Sequence, residues 1–486
     1  MLKKGDLIQL TLDTAAFEGV AVGRVDDFVV FVPHGVPGDR VQVRVVRKRK
    51  RHAHAVIEQI LNHSPDRIVP RCRYFGVCGG CSWQHVEYDR QLAFKREHVR
   101  DLLKRIGGLE GVEVAFVVPS PSPYYYRNKM EFTFGSSRWL TRQEIESGQE
   151  LDRDFALGLH VPKRFDRILD LEECHLQGSL SHRMVNFTRH LSRQEGWEAY
   201  DTRRNEGFLR NLVIRIGVRT GQQLINIVTR DSRPAAMELL SSSLLEEFPS
   251  ITTIINSINP GRSPVASGEQ QIYYGDGYIM EEIANLKFKV TATAFFQPNT
   301  LQAGNLFRII RELAGLQGNE TVYDLYTGLG AIALFLARDA ERVVGVENHS
   351  DSIRLASENA ELNQIENCVF REGDVAEVLD RDWVRRHGQP HVVIVDPPRV
   401  GLAEKAVASL LSIRPKRIVY SSCNPATQAR DLQMLAEAYH IVGVHPVDMF
   451  PQTYHIENVA LLERRMLVDS IFVDSQTTAN LSSGRN

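Results

Sequence analysis

Two side chains in the C-terminal third are of types suited to covalent chemistry on a ring: Cys423 in RIVYSSCNP and Glu457 in HIENVALLERR. Each borders an apolar β-like run, Cys423 just past the end of one and Glu457 immediately before another. A thiolate adds to an electrophilic carbon, and a carboxylate can take a proton from the adduct so that the sulfur can leave again. The thiolate requires a lowered cysteine pKa, and Arg399 in VDPPRVGL is a cation that could supply it. A cysteine at a strand end is commonly core filling. Here it would share one sheet edge with Asp396, delivered by the run VVIV and followed by two stiffening prolines, and with Gly328 of YDLYTGLG.

That glycine opens a second motif. In TVYDLYTGLGAIAL a β-rich run feeds Asp324, a Gly328-x-Gly330 turn and then a helix, which lets backbone amides and a helix N-terminus approach a ligand. The following strand ends in Glu347, placed to accept hydrogen bonds from two ribose hydroxyls, and Asp374 after the third strand could reach an adenine. Position 333 is alanine, so the third glycine of a dinucleotide fingerprint is absent. S-adenosylmethionine, with one nucleoside and no pyrophosphate, suits the shorter turn better than NAD. With a methyl donor present, a cysteine and a carboxylate define methylation of a pyrimidine at C5. The thiolate adds to C6, C5 takes the methyl group, and the base removes the C5 proton. The Asp-Pro-Pro loop alone would also suit an amino-methyltransferase, which has no use for Cys423.

Three more cysteines, Cys72, Cys78 and Cys81, have the spacing C-x5-C-x2-C, and Cys174 stands apart in LEECHL. Such a set fits a four-sulfur site for either a [4Fe–4S] cluster or zinc, and spacing does not choose between them. Gly76, Gly79 and Gly80 let the loop fold around it. The sixth cysteine, Cys368, reads as plain core or surface. Six cysteines in 486 residues are too few for a disulfide scaffold.

The elements that must position these residues fall into three parts, as the length suggests. Residues 1–62 alternate in short β-like runs and read as a small β-barrel of OB type, ending its third run in the basic stretch Arg47 to Arg51. Residues 63–288 read as a mixed α+β domain that carries the cysteine loop and a helix through about 86–106. Its SPSPYYYRNKM loop holds three tyrosines that either stack on bases or cover a core edge. From 289 to 468 strands and helices alternate as in a doubly wound sheet with parallel strands. The segment 469–486 lacks apolar periodicity and reads as disordered. Lys and Arg number 58 against 60 Asp and Glu, a formal net charge of −2, which neither demands nor excludes nucleic acid. The 43% apolar and 24% charged composition excludes a globally disordered or collagen-like chain. No apolar run approaches the roughly 20 residues of a membrane span, so a cytoplasmic protein is expected.

The chain resembles the RNA (uracil-5-)-methyltransferases, most closely the iron–sulfur 23S rRNA type. The motifs that carry this are the cysteine spacing, FFQPN, DLYTGLG, DPPR, SSCNP and HIEN, and they run through nearly the whole chain. The resemblance implies an N-terminal TRAM barrel that binds RNA, a Rossmann-like catalytic domain, and a [4Fe–4S] cluster on Cys72, Cys78, Cys81 and Cys174. It implies donor contacts from Gln297, Tyr326, Glu347 and Asp396, with Cys423 as nucleophile and Glu457 as base. It further implies a helix after the cysteine loop that folds back onto the catalytic domain. A monomer is expected. Thr327 and Asn458 depart from the cysteine and threonine that many members carry there. The substrate implied is 23S rRNA, with tRNA as the alternative; an RNA-binding module with a degenerate donor site is the non-enzymatic reading.

Overall fold

A computed structural model describes residues 2–465, apart from positions 152 and 264, so the expectation of disorder from 469 onward lies outside the described residues. Five strands, Leu7–Ala15, Ala21–Val25, Phe28–Val32, Arg40–Lys48 and His52–Asn62, close into a barrel. Alternation explains it: Val41, Val43 and Val45 point inward with Leu10, Leu12 and Val30, while Arg44 and Arg47 point to solvent. Gly23 is required by close packing, since a Cβ there would lie 2.2 Å from the Leu10 side chain and 2.6 Å from the Thr11 carbonyl. The basic stretch from Arg47 to Arg51 is exposed at the tip of the hairpin joining the last two strands. Buried Asp39 accepts from Arg67 at 2.6 Å and ties the barrel to the chain that leads into the cysteine loop.

The middle of the chain forms an eight-stranded mixed sheet with Lys129–Gly135, Leu209–Ile216 and Gln223–Thr229 near its centre. Helices Ser179–Gln194 and Pro234–Glu247 cover it through Met184, Val185, Leu240 and Leu244. A hairpin, Tyr278–Ile283 with Leu286–Thr291, then leads out of this sheet. Its Ile279, Phe288 and Val290 pack in the next core, against Leu306 and Ile310 of helix Thr300–Ala314.

Seven strands make the C-terminal sheet: β1 (Thr321–Leu325), β2 (Arg342–Glu347), β3 (Cys368–Glu372), β4 (Val392–Val395), β5 (Arg417–Ser422), β6 (Tyr439–Val447) and β7 (Glu457–Arg464). Their spatial order is 3-2-1-4-5-7-6. The runs VVIV and RIVYSS are buried on both faces, as parallel strands covered by helices must be. The expected parallel sheet holds for β1 to β5, but β7 is antiparallel to both β5 and β6. The short connection between β6 and β7 dictates this, because a parallel return needs a crossover of a dozen or more residues.

Helix Tyr88–Arg105, which follows the cysteine loop, packs on this C-terminal unit. Val99 and Leu103 enter the core formed by Ala429, Leu432 and Leu435 of helix Pro425–Leu435. A fully buried ion pair, Lys95 Nζ to Asp448 Oδ1 at 2.6 Å, fastens it to the segment between β6 and β7.

Candidate active site and cysteine-lined cavity

At the end of β1 the chain turns through Tyr326 at φ 64°, Gly328 at φ 55° and Gly330 at φ 86° before helix Ala331–Leu336. A positive φ at a tyrosine is costly, and the surroundings must hold it there. Asp324 does this from below: fully buried, it accepts from the Thr327 hydroxyl and from the Ala333 amide at 3.1 Å. Burial pushes its carboxyl up to about 7, despite those hydrogen bonds. Thr327 therefore supplies a hydroxyl that serves the turn.

Above this turn a Cβ on Gly328 would meet nothing within 4 Å, whereas one on Gly330 would press on Phe370 and Ala356. Gly328 thus borders open space at the carboxyl edge of the sheet, where ligands of such folds bind. Glu347 closes one side, its carboxylate accepting from the Gly328, Asn348 and His349 amides at 3.2, 2.9 and 3.1 Å. Asp374 caps helix Val375–Val378 by accepting from the Ala376 amide. The half-buried Tyr326 ring lies near Asp374, Asp431 and Glu347, and burial pushes its phenol up to about 12. Gln297 is buried in a clamped segment: Asn128 donates to its carbonyl at 2.7 Å and to that of Pro298 at 2.9 Å, while Asn299 caps helix Thr300–Ala314. A glycine facing open space, with a carboxylate beside it on the next strand, fits a donor nucleoside.

The antiparallel β7 matters most for Cys423. Ser422 pairs with Asn458 across the β5–β7 ladder, so continuing the register sets position 423 opposite Glu457. Directly opposed residues share a face, which brings a thiol and a carboxylate 34 positions apart in sequence to one spot. Ser421, two residues before Cys423 and so on the same face, donates its hydroxyl to Glu457 Oε1 at 3.0 Å. Asp396, just past β4, also hydrogen-bonds Ser421. Burial raises both carboxyls, Asp396 to about 7 and Glu457 well above the usual carboxylate range, and the Asp396 charge raises Glu457 further.

Cys423 is half-buried. Burial pushes its thiol up to about 11, the charges of Glu457 and Asp396 add to this, and Arg399 opposes it through charge and a hydrogen bond. The Arg399 backbone is held in place for this: its carbonyl accepts from Asn424 Nδ2 at 3.0 Å and Thr427 Oγ1 at 3.2 Å. The proposed cationic neighbour therefore lies beside the thiol. Ser421 was missed from sequence, although its spacing from Cys423 along a strand is the signal that could have singled it out.

The segment leading to Glu457 is tied to the cysteine loop. The Ser82 and Trp83 amides donate to the Gln452 carbonyl at 2.9 and 3.0 Å, and Gln91 exchanges hydrogen bonds with Gln452. Tyr126 donates to the Pro451 carbonyl. The three tyrosines divide: Tyr126 is buried in the core, while Tyr124 and Tyr125 pack on the Arg71 guanidinium at 5.3 and 5.1 Å.

Cys72, Cys78, Cys81 and Cys174 line one small cavity of about 20 Å³, walled by Phe75, Leu159, Leu171 and Leu176. All four are free thiols. Gly80 N–H points at the Cys78 sulfur at 3.4 Å and Gln84 Nε2 at the Cys81 sulfur at 3.1 Å. Burial pushes Cys78 and Cys81 up to about 12, with neighbouring sulfurs adding to the shift. Among the described residues no group of three or more histidine, cysteine or acidic side chains is arranged so that it could hold a metal ion. Cys368 opens β3 and packs against the C-terminal core. No helix among the described residues is long and apolar enough to cross a membrane.

Comparison with known proteins places these features. A family model described as tRNA (Uracil-5-)-methyltransferase matches residues 265–465, and a TRAM domain model matches residues 3–57. The chain is 42% identical to an uncharacterised RNA methyltransferase of Bacteroides thetaiotaomicron, over 93% of this chain and 100% of that protein. It is 45% identical to another from Porphyromonas gingivalis, over 92% and 98%. Among solved structures, the Pyrococcus abyssi tRNA (uracil-54, C5)-methyltransferase in complex with S-adenosyl-L-homocysteine superposes with a TM-score of 0.72 at 30% identity. That match covers 94% of this chain and 100% of the other.

Proposed function

The chain belongs to the RNA (uracil-5-)-methyltransferase family and is an S-adenosylmethionine-dependent RNA methyltransferase, and from that premise we propose that it methylates C5 of a specific uridine in 23S rRNA. The observation that carries the chemistry is Cys423 set opposite Glu457 across the β5–β7 ladder, with Arg399 on the thiol.

In this reading the Cys423 thiolate forms a bond to C6 of the uracil, moving electron density to C5. C5 then attacks the methyl group, and the carbon–sulfonium bond breaks to leave S-adenosylhomocysteine. Glu457 takes the C5 proton, the double bond re-forms, and Cys423 leaves C6. Ser421 bridges Glu457 and Asp396, two crowded carboxyls that favour sharing one proton. Burial and the Asp396 charge favour that proton on Glu457 at rest, and its passage to Asp396 through the Ser421 hydroxyl leaves Glu457 ionised and ready as the base. Gln297, Tyr326, Gly328, Glu347 and Asp396 border the space in which the donor would lie.

Cys72, Cys78, Cys81 and Cys174 are proposed to hold a [4Fe–4S] cluster. Four unpaired sulfurs on one cavity, two with N–H donors aimed at them, support a four-thiolate site, and the choice of a cluster over zinc rests on the family resemblance. When bound, such a group cross-links the loop to the Cys174 segment.

A uridine of tRNA is the second reading, favoured by full-length superposition on a tRNA-modifying relative. Mass-spectrometric mapping of methylated nucleosides in rRNA and tRNA, from cells with and without this protein, tests the assignment. Loss of one 5-methyluridine in 23S rRNA is expected. A site lost from tRNA alone transfers the substrate, and a methyl lost from an exocyclic nitrogen rejects the reaction.

A further inference from the structure

A cavity of about 470 Å³ opens between Gly80 of the cysteine loop, the strand Lys129–Gly135 and the Phe295–Pro298 segment. Its size is that of a small-ligand pocket. Arg127, Lys129 and Arg215 line it against a single acid, Glu131, which pairs with Lys129 at 2.6 Å. Phe295 stands at its wall 67% exposed, between buried Ala294 and buried Phe296.

Arg215 is the unusual member. It is only 2% exposed, its Nη2 donates to the Ala294 carbonyl at 2.7 Å, and its Nε and Nη1 have no partner. Burial pulls its pKa down to about 10, which leaves it cationic at neutral pH. A buried guanidinium with unmet donors, facing only the charge of Glu131 that Lys129 already pairs, is costly unless an anion completes it. Arg127 also has a buried Nε without a partner, and its charge adds to the burial that pulls His455 down to about 4. His455 lies two residues before Glu457, so this charged wall adjoins the reacting centre.

We propose that this cavity is an RNA subsite for a nucleotide flanking the target uridine, its base stacked on Phe295 and its phosphate neutralised by Arg215, Arg127 and Lys129. The cations match a phosphodiester, and an exposed ring beside them is the arrangement by which single-stranded RNA is gripped without sequence readout. The subsite rests on the RNA substrate and not on which atom is methylated, so nucleoside mapping and the binding test below fail independently.

The test is binding of a fluorescent single-stranded uridine-rich RNA 12-mer to the full-length protein at 50–300 mM KCl, an oligonucleotide and salt range of the order used for counter-ion analysis. Phe295→Ala is expected to weaken binding by roughly tenfold with an unchanged salt slope, since stacking is not ionic. Lys129→Gln and Arg215→Gln are each expected to lower the slope of log K against log salt by about 0.7, the single-strand value per phosphate. Calorimetric S-adenosylmethionine binding should stay at the wild-type value and certifies folding. If Arg215→Gln does not fold, Phe295→Ala and Lys129→Gln decide. Wild-type affinity and slope in both would overturn the proposal.

Discussion

Cys78 and Cys81 sit among leucines and a phenylalanine, where burial and neighbouring sulfurs push both thiols up to about 12; Cys423 is half-buried, and it faces a guanidinium. Both sites are desolvated, so burial does not separate a reactive cysteine from an inert one. The difference is the local charge. Around Cys423 one cation opposes two carboxyls, so the thiol stays protonated at rest and its ionisation depends on a proton acceptor beside it. At the cavity thiols Arg127 opposes the shift of Cys81 and Cys174, but burial, with the neighbouring sulfurs at Cys81, outweighs it, and these thiols become useful ligands only when a positively charged group takes their protons' place.

The comparison breaks most directly at the two reactive groups. Cys423→Ala should lower methyl transfer, read with labelled donor, by at least about 1,000-fold while donor affinity is retained. The matching change at Cys368 should leave the rate near wild type. Glu457→Gln should slow turnover by about 100- to 10,000-fold and accumulate an RNA–protein adduct stable in denaturing gels, because addition precedes the step the base serves.

Next comes the connection between the two regions. Lys95→Met strips the partner from fully buried Asp448, and chemical denaturation should show a loss of about 3–5 kcal/mol. An unchanged unfolding midpoint would mean that the pair does not fasten the helix to the segment before Glu457. For the cavity, Cys81→Ser should abolish bound iron, acid-labile sulfide and broad visible absorbance, whereas Cys423→Ala should retain all three.

The smallest effect sharpens the electrostatic argument. Because the thiol lies near 11, the wild-type rate should rise with pH between about 6 and 9 as its ionised fraction grows. Arg399 favours the thiolate, so removing its charge raises the thiol pKa and moves that limb to higher pH. Arg399→Ala should therefore lose roughly tenfold at pH 7.5 and at pH 9 alike, because the thiol is still mostly protonated at both, and Arg399→Lys should lie between. Coincident pH profiles for all three would remove the arginine from the ionisation.

Much of this was legible in the sequence, for identifiable reasons. Apolar runs such as VVIV and RIVYSS announce strands, and glycines mark the donor turn, so the sheet and its ligand edge follow from local pattern. The four cysteines share a cavity that their spacing anticipated. The direction of β7 was not legible, because alternation along ENVALLER is the same whichever way a strand runs. Nor was the inward aim of Asp324, which reads like a ligand-facing acid until its bonds to Thr327 and Ala333 are seen. The role of Ser421 depends on Asp396 and Glu457 arriving from two other strands, which no local window contains.

The ladder between β5 and β7 also determines what the enzyme can tolerate. Glu457 is aimed by backbone pairing, so the helix and strand that intervene after Cys423 could lengthen or shorten without moving the base, provided the pairing of Ser422 with Asn458 survives. A slip of a single residue would instead turn Glu457 to the opposite face of the sheet. Such a protein could remain folded, bind its methyl donor and add Cys423 to RNA, yet fail to let go, turning a catalyst into a suicide trap through register alone.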